Sequence, residues 1–154
     1  MAPGAASGVE KSSAAWKLAE YLTKNNGDPI PLQSCRAIFQ GVMVAAETIA
    51  QRKFDAALIK RVWKKVAREP LNQLKELFLS QFCEKVLGGF TEEQVQTMLD
   101  EQNMHGTITS HRQSLIEAQI RHKPELILLM KAQTDTITDS MFPKVCQAIR
   151  NEGV

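Results

Sequence analysis

Apolar residues recur along this chain at spacings of three and four, and no stretch alternates with the period of two that a half-buried strand requires. The pattern predicts an all-α protein. Its densest apolar stretch runs from Pro70 to Leu87. Proline suits the first position of a helix, where its missing N–H would have no partner anyway. Leu71, Leu74, Leu77, Phe78, Leu79, Phe82, Cys83, Val86 and Leu87 then cover well over half of a helix circumference, and Gly88-Gly89 offers a left-handed stop. A helix so widely apolar needs neighbours on several sides. The expected fold is a compact bundle or short stack of helical hairpins, about seven to eight helices around this central helix, 70–87.

The flanking helices follow from the same period and from their caps. Residues 1–11 are small and polar and read as a flexible tail, leaving 12–152 as a single helical domain. Ser12 or Ser13 can cap a first helix through Lys24, with Trp16, Ala19 and Leu22 in line. Asn25 to Pro29 is a dense turn signal. A second helix runs from about Pro31 to Arg52, with Leu32, Cys35, Phe39, Val42, Ala46 and Ile49 on its inner face; Gly41 suggests close packing or a bend. Asp55 caps a third, to about Arg68, after which Glu69-Pro70 predicts a turn or kink.

Phe90-Thr91-Glu92-Glu93-Gln94-Val95 is the clearest local signature, a capping box with a hydrophobic staple, and its helix ends between Asn103 and Gly106. Thr109-Ser110 predicts a restart that carries Leu115, Ile116, Ala118 and Ile120. Lys123-Pro124 predicts a break, and a new helix with Leu126, Leu129, Met130 and Ile137 in line. A last turn at Asp139 to Pro143 precedes a short terminal helix with Val145, Cys146 and Ile149, before Gly153.

Composition narrows the picture modestly. With 154 residues, 44% of them hydrophobic, the chain can bury a core without disulfides or metals. Aromatics are only 6%, so that core is mainly aliphatic. A net charge of +2 favours no class of partner. Cys35, Cys83 and Cys146 are odd in number and lie among apolar helical residues, which suits buried thiols and not a disulfide framework. No apolar signal core and no run of membrane-spanning length occurs, so cytoplasm or nucleus is the expected location.

Two features could carry function. On the helix after Asp55, Lys60, Arg61, Lys64, Lys65 and Arg68 share about 100–140° of arc, a face that could meet phosphates or an acidic surface, with Trp63 at its edge. The plain alternative is a solvated outer face with Trp63 in the core. The second feature is Leu126-Ile127-Leu128-Leu129-Met130. Leu126, Leu129 and Met130 suffice for one buried face, and Ile127 and Leu128 point about 100° and 200° round from it. Either the helix is buried on several sides or these two residues form an intermolecular contact.

His105, His111 and His122 lack the close ligand pairing that zinc requires and read as surface residues. The cysteines lack an activating context, and Gly88-Gly89 follows a helix, unlike a phosphate loop. No residue set points to a catalytic centre, a metal or a cofactor. The expectation is a non-enzymatic protein–protein interaction module, a small adaptor or complex subunit binding another protein or itself through Ile127 and Leu128. The alternative is a nucleic-acid or acidic-ligand binder using the basic helix.

Overall fold

The computed structural model describes residues 10–24 and 30–152, and the side chains of all of these except 30 and 32. The expected turn at Asn25 to Pro29, most of the expected N-terminal tail, the stop at Gly153 and the packing of Leu32 lie outside the described residues. Within them the protein is all-helical, with no strand. Five continuous helices account for it, not seven or eight. They are α1 (Ala14–Lys24), α2 (Ile30–Ala50), α3 (residues 56–85), α4 (Glu92–His105) and α5 (Arg112–Asn151). None is long and apolar enough to cross a membrane.

The count is lower because three expected breaks do not occur, each at a proline. Residues 55–68 and 70–87 were expected as separate helices, yet α3 runs through both. It does so by way of a π turn at Trp63–Ala67, where the Arg68 N–H donates to the Trp63 carbonyl five residues back. Pro70 cannot donate to the Val66 carbonyl and its ring crowds that group. The π turn lies just ahead of Pro70, and the helix continues. In α5, Pro124 and Pro143 are internal to a 40-residue helix. Each leaves one carbonyl without its usual donor, at Ile120 and Asp139. Both of those residues are exposed, so water can pair what the helix does not.

The caps follow their sequence signals closely. Ser13 Oγ accepts the Trp16 N–H at 3.2 Å, and Asp55 Oδ1 accepts the Leu58 N–H at 2.8 Å. Thr91 and Gln94 form the full reciprocal box, at 3.1 Å and 2.9 Å. Gly88-Gly89 departs from expectation: α3 ends in a 3₁₀ turn, Leu87–Gly89, with neither glycine left-handed. Among the described glycines it is Gly106, φ 71°, that is left-handed, and it closes α4 with its N–H on the Gln102 carbonyl.

The chain divides into two compact units. The first comprises Met1–Ile30 and Glu76–Leu129. Here α1 packs on α4, and Leu18, Leu22, Phe78, Phe82, Val95, Met98 and Leu115 are buried. Phe78 and Phe82 stack with ring centres 6.3 Å apart. Lys11 pairs with Glu76 at 2.7 Å.

The second unit comprises Pro31–Lys75 and Met130–Val154. Its buried residues include Ile38, Val42, Met43, Leu58, Leu71, Leu74, Met141, Val145 and Ile149. Cys35 Sγ donates to the Leu71 carbonyl at 3.4 Å. Ile49, expected on the inner face of α2, is 67% exposed, as is the whole of 48–53 in kind. There α2 has run past its packing, and Gln51, left-handed at φ 56°, ends it. Gly41 is exposed, and a Cβ on it would meet nothing within 4 Å, so it serves no close approach.

Candidate interaction surface

The first unit's share of α5 carries the candidate surface, and a carboxylate from α4 sets where that helix begins. Glu101 Oε1 accepts the backbone N–H groups of Thr109 and Ser110 at 3.1 and 2.9 Å. Its Oε2 accepts their hydroxyls at 2.9 and 2.7 Å. Hydrogen bonds from Ser110 and then Thr109 pull the Glu101 carboxyl down from its ordinary 4.5 to about 2. Thr109 and Ser110, expected to open the helix, are engaged by this clamp instead. His111, left-handed at φ 58°, offers its carbonyl to Leu115, and the helix starts at Arg112.

Beyond the clamp, Leu115, Leu126 and Met130 are buried and lie within about 60° of one another around the helix. Leu129, the third member of the expected inner face, is half-buried. On the outside, four apolar residues follow one another at steps of four: Ile116 (37% exposed), Ile120 (68%), Pro124 and Leu128 (64%). Residues at i, i+4, i+8 and i+12 form a single oblique ridge, here about 18 Å long, of the kind that seats in the groove of another helix. Arg112, four residues before Ile116, heads the same row and is exposed.

Of the two sequence-selected residues, Leu128 is therefore outward and Ile127 is half-buried, close to the angular position of Ile120. Ile127 thus borders the ridge beside Ile120, about 100° round from Leu128. Ile116 and Ile120 were missed as surface residues because Pro124 was taken to end their helix. With the helix continuous, the spacing of four from Ile116 through Leu128 is plain in the sequence.

The basic helix face lies in the second unit. Lys60, Arg61, Lys64, Lys65 and Arg68 are all exposed. Arg61 Nε and Lys65 Nζ meet the two carboxylate oxygens of Glu152 at 3.0 and 3.5 Å, which neutralises part of the face. Lys60, Lys64 and Arg68 have no carboxylate partner among the described residues. Trp63 packs edge-on to Phe39 of α2, ring centres 5.0 Å apart, and is half-buried, so it is not presented as a stacking platform.

Several other titratable side chains are tied into local structure. His122 Nδ1 and Lys85 Nζ both meet Glu125, at 3.1 and 2.9 Å, and these bonds hold its carboxyl below the usual range. His122 is thus half-buried where a surface position was expected; His111 lies edge-on to Phe90, ring centres 6.4 Å apart. Burial pushes the Cys83 thiol up to about 12, and burial likewise raises Cys35, the opposite of what an activated nucleophile needs. No three His, Cys, Asp or Glu side chains among the described residues are grouped to hold a metal ion.

Comparison with protein-family models, with curated proteins and with solved structures gives no match to this chain.

Proposed function

We propose that this protein is a non-catalytic protein–protein interaction module, an adaptor or complex subunit, that docks a partner helix on the outer ridge of α5. The observation that carries this reading is the exposed row Ile116, Ile120, Pro124, Leu128 at successive steps of four. Removing a large aliphatic side chain from water is worth about 1.5–3 kcal/mol. Ile120 and Leu128, both about two-thirds exposed, leave most of that gain to an intermolecular contact. Isolated exposed apolar residues are ordinary; a continuous ridge of them has the form of a helix-packing surface.

The test places a photo-crosslinking residue at position 120 or 128 in cells, with exposed Glu84 as the control site. The reading expects a discrete crosslinked protein from 120 and 128 but not from 84, abolished by the double variant Ile120→Glu/Leu128→Glu. That variant should keep the helical circular dichroism of the parent. Identical products from all three sites, or unfolding of the double variant, would refute the ridge as a docking surface.

A second reading, binding of nucleic acid or another acidic ligand, draws on the exposed Lys60, Lys64 and Arg68. It predicts an affinity that falls steeply with salt and is lost in Lys60→Glu/Lys64→Glu. Salt-independent binding, or none to either a nucleic acid or an acidic polymer, removes it.

A further inference from the structure

At its N-terminal end the ridge meets a groove of about 480 Å³, lined by Tyr21, Ile108, Arg112, Leu115, Ile116 and Gln119. Ile108 and Leu115 are buried and form an apolar floor, while Ile116 belongs both to the groove wall and to the ridge. The Tyr21 hydroxyl donates to the Gly106 carbonyl at 3.4 Å and ties α1 to the α4–α5 loop across the groove. We propose that this groove takes the apolar anchor of an acidic amphipathic helix from a partner protein, with Arg112 pairing a carboxylate one turn from that anchor. The proposal rests on the docking reading of the ridge and adds the chemistry of what docks there.

Charge complementarity selects an acidic partner. Arg112 is exposed at the head of the ridge and has no acidic partner among the described residues. From 112 to 121 the helix carries Arg112 and Arg121 against Glu117 alone. The Glu101 carboxylate at the start of α5 is taken up by Thr109 and Ser110, and the first turn of the helix itself contains no acid to pair Arg112. A carboxylate arriving there meets the guanidinium. The other polar groups of the wall, Thr107 and Gln119, are neutral and repel nothing. A basic segment would place like charges against Arg112. An apolar segment without acid would leave the guanidinium covered and unpaired, which is costly.

The experiment is a selection of random 16-residue peptides displayed on phage against the immobilised full chain. The best binder is then made as a fluorescent peptide for anisotropy. The enriched sequences should set Leu, Ile or Phe one helical turn from Asp or Glu. Arg112→Glu should weaken binding about tenfold or more, and replacing the peptide's acid with Lys should recover affinity on that variant. In an amide spectrum, Tyr21, Gly106 and Gln119 should shift on binding. No enrichment, enrichment without an acidic bias, or an affinity indifferent to Arg112→Glu would overturn the proposal. Loss of binding in Ile120→Glu/Leu128→Glu together with indifference to Arg112→Glu would leave the docking surface standing and remove only its acidic partner. Binding that depends on Arg112 but not on the ridge variants would support the acidic partner at the groove and count against the ridge.

Discussion

The two internal prolines of α5 make the most exacting test of the fold, because they are where a local signal and the folded chain disagree. In Pro124→Ala the new N–H can reach the Ile120 carbonyl, and the ring that crowds that carbonyl is gone. A helix-interior proline costs about 3 kcal/mol against alanine. Against this, proline restricts the unfolded chain, which is worth up to about 1 kcal/mol in its favour. The balance is a stabilisation of about 2 kcal/mol, and Pro143→Ala should behave alike. Both prolines are exposed, so trimming either ring removes no buried contact. The sites lie in different compact units and share no partner, so their effects should add. For a chain of this size 2 kcal/mol corresponds to about 4–8 °C in melting temperature. In urea, with a slope near 2 kcal/mol per molar, each variant should raise the midpoint by about 1 M at an unchanged slope. Circular dichroism at the helical minimum reads both. A midpoint that falls for either variant would refute a helix continuous through that proline, since it would mean that the break is part of the packing.

Three further outcomes follow from local geometry. Gly41→Ala should raise stability by about 0.8–1 kcal/mol in the same urea titration, because the added methyl meets nothing within 4 Å and only the helix-propensity gain remains; destabilisation would show that the site is covered after all. Thr91→Ala removes the acceptor for the Gln94 N–H and should cost about 1 kcal/mol, with faster amide exchange confined to the first turn of α4; uniform exchange would contradict a local cap. Glu101 has a folded carboxyl pKa of about 2, below its ordinary 4.5, so its stabilisation is fully present above 4.5 and is lost as pH falls toward 2. The stability gap between the parent and Glu101→Gln should therefore hold steady near neutrality and close through that window. A gap that stays constant down to pH 2 would sink the clamp.

The N-caps at Ser13, Asp55 and Thr91 were legible in the sequence because the groups concerned sit within one turn of each other. Asp55 and Leu58, or Thr91 and Gln94, are three residues apart and need no other part of the chain. Pro124 and Glu69-Pro70 misled for the complementary reason. A proline's local cost is fixed at about 3 kcal/mol, but whether the helix bears it depends on how much packing the continued helix secures. Leu126, Met130, Met141 and Val145 are all buried along α5, and together they outweigh two missing hydrogen bonds. The misplaced break hid the ridge: with Pro124 read as a break, Ile116 and Ile120 stand on a different helix from Leu128.

The amino-acid pattern by itself determined that the protein is helical, that Ser13, Asp55 and Thr91 cap helices, and that Leu126 and Met130 face inward; that Leu128 faces out was decided by the folded chain. Period and capping are properties of neighbouring residues, and the physics that reads them is short-ranged. Tertiary structure alone decided that α3 passes Pro70 through a π turn and that Glu101 takes the hydrogen bonds of Thr109 and Ser110. It also decided that Glu152 neutralises Arg61 and Lys65 and that Trp63 leans on Phe39. Each of these joins groups eight to ninety-one residues apart or weighs a local cost against distant burial, and neither is written in the spacing of a single helix.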